Sequence, residues 1–199
     1  LRGGLKDFHY YLCRRLGGGM EIIMDIRIEK TKTAIHNTFL ELRSKKPLEK
    51  ITIKELCEKA QINKSTFYSH YKDIYDLSDQ LETEVVTSVI EAIPNPENCL
   101  EDPAALAKNM FLGYLSRDAI IRILFSGTRA GELVRKVEYQ LKKILFEAHP
   151  EYKQDPSVNV VLSYTVYGGY YAFFENRQYG DSTVVDIISQ ISSGAMNLL

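Results

Sequence analysis

Tryptophan is absent, cysteine occurs three times and histidine four times, and each shortage removes a class of function. Cys13, Cys57 and Cys99 are far apart and odd in number, so they form neither a disulfide framework nor a metal-ligand cluster. A reducing, cytoplasmic setting fits them. His9, His36, His70 and His149 are scattered without metal-type spacing. Gly17-Gly18-Gly19 is not followed by the Lys-Ser/Thr of a phosphate-binding loop, and Ser65 has no base placed for a triad. No apolar run reaches the length of a membrane span. The chain therefore reads as a non-enzyme without cofactor or metal and without a membrane partner.

Net charge is also small, at −1, which does not by itself announce a polyanionic partner. Its distribution does. From Asp25 to Lys72 there are eleven basic residues against six acidic ones, so this stretch is +5 and the remainder −6. A basic end on an acidic molecule steers that end toward phosphate. The hydrophobic share of 45% is enough for a core.

What is present is mostly helical pattern. A first helix is expected from about Asp25 to Lys45, with Ile28, Ile35, Phe39 and Leu42 on one face and Pro47 after its end. In Ile51–Leu77, ITIKELCEKAQINKSTFYSHYKDIYDL, Thr52 and Glu55 form a capping box. Ile53, Leu56, Cys57 and Ala60 then make one apolar face. Gln61-Ile62-Asn63 is a turn, and Asn63 is placed to cap a second helix, Lys64 to Tyr71. That helix points Phe67 and Tyr71 inward and leaves Lys64, Ser65, Thr66, Tyr68, Ser69 and His70 for other faces. A short helix carrying cationic, hydroxyl and aromatic groups, braced by a partner helix, suits a DNA major groove. In this reading Lys64, Thr66 and Tyr68, with Ser65 beside them, meet the bases, while Thr52, His70 and Lys72 hold phosphates.

The run NKSTFYSHYKDIYDL resembles the recognition helix and following helix start of the tetracycline-repressor family of bacterial regulators. TKTAIHNTFLELRSKKPLEKITIKELCEKA resembles that family's first two helices. The likeness is continuous from about Arg27 to Leu81. Two positions depart from the pattern. Gln61 stands where the family has glycine in the turn, which implies a left-handed residue with a side chain. Ile74 stands where the family often has lysine, so Lys72 or His70 must carry more of the phosphate contact.

Beyond Leu81 the pattern stays helical. A connecting helix is expected from Asp73 to Ile93, carrying Ile74, Leu77, Leu81, Val85 and Val89 and stopped by Pro94 and Pro96. Asp102-Pro103 and Asp155-Pro156 each read as a cap followed by a first-turn proline. Further helices run from Asp118 to Phe125, from Gly131 to His149, and from Gly180-Asp181 almost to the end. From Val158 to Phe174 the chain is apolar or aromatic almost all round, which demands burial on all sides. One side can face the chain's own core and the other a second copy. Val166, Gly169, Tyr170, Phe173, Ile187, Ile191 and Ala195 are the expected interface residues of such a homodimer. A well-packed monomeric core is the alternative. The resemblance implies the dimer, a two-fold pairing through the C-terminal helices.

The resemblance also implies a C-terminal domain that binds a small-molecule effector. Met110, Phe111, Tyr114, Phe125, Tyr164, Tyr167 and Tyr171, with Tyr170, offer apolar walls with hydroxyl tips. Such residues equally fill ordinary cores. The domain plan is then a leader over residues 1–24, a three-helix DNA-binding domain over 25–72, a connecting helix over 73–93, and a regulatory and dimerisation domain over 94–199. The glycine-rich start, with Gly17 to Gly19 before Met20, suggests that Met20 or Met24 is the natural start. The alternative is an arm that touches DNA through Arg14 and Arg15. The expected protein is an all-α, ligand-responsive repressor that binds a near-palindromic DNA operator as a homodimer. The alternatives are a regulator of the same fold that acts through a protein partner, and a helical small-molecule carrier.

Overall fold

A computed structural model describes residues 22–196. The expected leader and Cys13 lie outside the described residues, apart from the last three leader positions. The described residues are all helical: nine α-helices and five short 3-10 turns, with no strand. The helices are α1 (Ile22–Arg43), α2 (Ile53–Ala60), α3 (Lys64–Tyr68), α4 (Ile74–Ile90), α5 (Pro103–Leu115), α6 (Asp118–Leu124), α7 (Glu132–Ala148), α8 (Pro156–Asn176) and α9 (Asp181–Met196). None is long and apolar enough to cross a membrane.

The chain divides into two compact units, one ending at Leu77 and the other beginning at Ser78, so the division falls inside α4. In the first unit, Ile35, Phe39 and Leu42 of α1 are buried, while Ile28 stays partly exposed. The second helix, α2, packs along α1 with Leu56 and Cys57 buried. Burial pushes the Cys57 thiol up, as suits a core cysteine. Thr52 caps α2 by accepting the Glu55 N–H at 3.2 Å. The expected return bond from the Glu55 side chain is replaced by an ion pair with Lys46. Gln61 ends α2 in the left-handed region at φ 57°. The Ile62 N–H then reaches back to the Cys57 carbonyl at 3.0 Å. Glycine would take this conformation without the steric cost that Gln61 bears.

Two local expectations are corrected. Asn63 makes no side-chain cap bond to α3. The helix also stops at Tyr68 rather than Tyr71, because the His70 N–H turns back to the Phe67 carbonyl, three residues away, at 3.0 Å.

In the second unit, α5 packs on α9, α9 on α8, and α8 on α7. The two cap-plus-proline starts are present. Asp102 accepts the Ala105 N–H at 2.9 Å, and Asp155 accepts the Ser157 N–H at 2.8 Å. Gly113 lies where α5 passes α4, and a β-carbon there would come within 3.0 Å of Val89 Cγ1. Within a single copy of the chain, α8 is covered on only part of its circumference. Val160, Tyr164 and Tyr171 are exposed, and Gly168 lies on the same exposed stripe.

Sequence reading did not anticipate the polar clamp on α4. Glu82 is fully buried and accepts bonds from the Ser78 hydroxyl at 2.8 Å and Arg129 Nε at 2.9 Å. Arg129 also approaches Asp79 at 3.5 Å, and Lys136 of α7 donates to Asp79 at 2.6 Å and to the Thr83 hydroxyl at 2.9 Å. A buried carboxylate is tolerable only with its charge partner in place. Arg129→Met should therefore lower the unfolding free energy by about 3 kcal/mol. Adding Glu82→Leu should restore most of that loss, because the orphaned charge is removed as well. Urea unfolding of the single and double variants measures both effects.

Candidate nucleic-acid interface and apolar cavity

The first unit presents a short helix that docks through one buried ring. Phe67 has no exposed surface, and its ring lies 5.6 Å from both the Tyr68 and the Tyr71 ring. Tyr71 is 3% exposed, and its hydroxyl pairs with His36 Nε2 of α1 at 2.7 Å. These contacts set the roll of α3. Lys64, Ser65 and Tyr68 consequently face outward, with Tyr68 55% exposed, while Thr66 and His70 are half-buried. Lys72 is exposed, and its backbone N–H is held by the Asp76 carboxylate at 2.9 Å. Asp73 in turn caps the start of α4 by accepting the Asp76 N–H at 2.8 Å. Thr52 is exposed, and its oxygen is engaged as a cap acceptor, which leaves its hydroxyl proton to donate outward.

The basic excess of this region is smaller at the surface than in the sequence. Glu41 binds both Lys45 and Lys59, at 2.7 and 2.6 Å. The bonds from Lys45 and then Lys59 hold its carboxyl down to about 2. Lys46 pairs with Glu55, and Lys54 stands 3.9 Å from Glu58. Among the described residues, Lys64 and Lys72 make no ion pair, so the cations flanking α3 are the ones open to an external anion.

The second unit encloses a cavity. Its volume is about 70 Å³. Val86 and Val89 of α4 form one wall, and Leu106, Ala107, Met110, Phe111 and Tyr114 of α5 a second. Leu133, Val134 and Val137 of α7 form a third, and Thr165, Val166, Gly169, Tyr170 and Phe174 of α8 a fourth. Pro103, Ile121, Ile188 and Ser192 complete it. No carboxylate, amine, guanidinium or imidazole is among these residues. The Tyr114 phenol is pushed up by burial and by its 2.8 Å bond to the Asp118 carboxylate, and burial likewise pushes up Tyr170. Both lining phenols are therefore neutral at physiological pH.

Of the residues expected at a pocket, Met110, Phe111 and Tyr114 line this cavity, as does Tyr170. Phe125 is buried outside the lining, Tyr167 is half-buried beside Glu138, and Tyr164 and Tyr171 point to the surface. Of the residues expected at a dimer contact, Ile187 and Ile191 are 53% and 57% exposed, and Ala195 is half-buried. Val166, Gly169 and Tyr170 instead line the cavity. Phe173 has no exposed surface and stacks on Phe111 with centroids 4.5 Å apart. An aromatic-rich helix thus turns its rings to two different destinations, which helical spacing alone does not distinguish. The α4 and α7 walls and Thr165 were not foreseen. For Thr165 the available signal was its place as one of only three small polar residues, with Asn159 and Ser163, in a mostly apolar run.

Gly169 leaves its space to the cavity, and a β-carbon there would meet Ile188 Cγ2 at 3.4 Å, an ordinary contact. Gly169→Ala should therefore stabilise the fold by roughly 0.5–1 kcal/mol through helix propensity. Thermal unfolding tests this, and a loss of stability would mean that α8 and α9 approach more closely than this. Set against known proteins, the chain matches no family model, no curated protein and no solved structure, so its function is argued from these two sites.

Proposed function

We propose that this chain is a DNA-binding transcriptional regulator of the tetracycline-repressor type, a homodimer whose operator affinity is set by a small molecule held in the second unit. The observation that carries the reading is α3. Five residues expose Lys64, Ser65 and Tyr68 over a fully buried Phe67, next to an α2 that ends in a tight turn. A helix-turn-helix needs this combination: a short helix fixed from behind, with hydrogen-bonding groups in front and unpaired cations at its flanks.

Three features support the rest of the proposal. The α8 stripe of Val160, Tyr164, Gly168 and Tyr171, and Ile187 and Ile191 on the adjoining α9, are apolar surfaces that a second copy would cover as a four-helix contact. The cavity suits a small effector. Val86 and Val89, which wall it, belong to the same helix that begins at Ile74 within the first unit. A ligand that prefers one position of α4 would alter DNA affinity by that preference and no more.

Selection of DNA from a random pool by the full chain, followed by mobility shift, tests the whole proposal. The expected outcome is a near-palindrome whose half-sites lie roughly 34–36 Å apart or somewhat more. Failure to enrich any sequence would favour action through a protein partner. Lys72→Ala should weaken binding to all DNA and reduce the salt slope by about one. Tyr68→Ala should cost more on selected than on random DNA, and equal losses on both would remove Tyr68 from base reading.

The dimer has a separate test. Gly168 has nothing within 4 Å, so a side chain there disturbs no contact within the chain. Gly168→Arg should leave the fold intact, shift the protein to monomer in sedimentation velocity, and reduce operator binding at the same time. A dimer of undiminished affinity would put the contact elsewhere.

A further inference from the structure

The cavity carries more chemical information than its volume. Its walls come from α4 to α9, and they are apolar apart from a few hydroxyls. Tyr114 spends its hydroxyl on Asp118 at 2.8 Å, and Tyr170 reaches toward the Ala130 carbonyl at 3.4 Å. Thr165 differs from these. Its Oγ1 is buried and has no hydrogen-bond partner, although a helical threonine ordinarily bonds back to the carbonyl a turn earlier. It sits in the middle of α8, between Leu162 and Val166, which are both buried. A polar atom left unsatisfied in an apolar wall is costly unless something else satisfies it.

We infer that the cavity takes an uncharged, largely apolar ligand, ring-shaped in part, whose single hydrogen-bonding group pairs with the Thr165 hydroxyl. This deepens the proposal of a ligand-responsive regulator and rests on it only for the consequence of binding. The absence of any charged side chain in the walls excludes carboxylates and amines, because an ion entering there would lose its hydration without gaining a counter-charge. Rings are favoured by the aromatic cluster on one side. Tyr114 meets Phe174 edge to face at 5.1 Å between centroids, and Tyr170 lies 4.5 Å from Phe174. Val86, Val89 and Val137, from α4 and α7, add aliphatic lining without a polar group. The hydroxyl is both donor and acceptor, so the ligand group can be an N–H, an O–H or a carbonyl.

Three bicyclic probes separate these requirements by calorimetric titration of the full chain. Indole has one N–H, indene has nearly the same shape without it, and indole-3-carboxylate adds a negative charge. Indole should bind saturably, indene roughly three- to tenfold more weakly, and the carboxylate not at all. Thr165→Val, which keeps the shape and removes the hydroxyl, should close the gap between indole and indene. Thr165→Ser should retain it, which guards against a general defect in the valine variant. The assignment is overturned if indole fails to bind up to its solubility limit, if the carboxylate binds as well as indole, or if the gap survives in Thr165→Val. Mobility shift with DNA selected by the protein is read separately. Indole that binds through Thr165 yet leaves DNA affinity unchanged upholds the ligand class and overturns the regulatory reading alone.

Discussion

Burial of α4 is the constraint on which most of the structure depends. Leu77, Leu81, Val85 and Val86 have no exposed surface, and Ile74, Val89 and Ile90 are nearly as covered. Leu81, Val85, Val86, Val89 and Ile90 belong to the second unit, and Ile74 and Leu77 to the first. The same helix carries Glu82 into the interior, where desolvation makes Arg129 obligatory. Lys136 adds a second tie from α7, whose neighbouring positions Leu133, Val134 and Val137 wall the cavity. One helix is thus held by an ion-pair clamp and also lines the cavity, so whatever fills the cavity touches the element the clamp secures.

The first unit solves a different problem. A helix of five residues has no stability of its own, since nucleation costs more than so few bonds return. The α3 segment exists because Phe67 is buried and Tyr71 is tied to His36. Its outward face is then free of structural duty, which is the condition for a face that reads something else. Gln61 adds a local cost in the left-handed region for the sharp reversal that sets α3 against α2.

Much of this was legible from residues alone. The helical class follows from 3.6-residue periodicity and from caps whose chemistry is local. Thr52, Asp102 and Asp155 each bond to a backbone N–H within three residues, so no tertiary information is needed to place them. The inward Phe67 and the outward Lys64 and Tyr68 follow from spacing on one short helix, whereas Tyr71 lies past its end and is held by its bond to His36. Asn63 shows the limit of such rules: a residue with the right side chain at the cap position makes no cap bond.

Long-range pairing was decided only by the tertiary structure. Glu82 and Arg129 are 47 positions apart, and no local pattern marks either as the other's partner. The basic excess was countable in sequence, and the Lys45–Glu41 and Lys54–Glu58 pairs follow from four-residue spacing, but the pairing of Lys59 with Glu41 and of Lys46 with Glu55 depends on which elements are neighbours. The aromatic run of α8 shows the same division. Composition determines that the helix is apolar on every side, because side-chain chemistry travels with the chain. Packing then decides that Phe173 enters the core, Tyr170 walls a cavity and Tyr171 faces out, because burial is a property of what lies across from a residue and not of the residue itself.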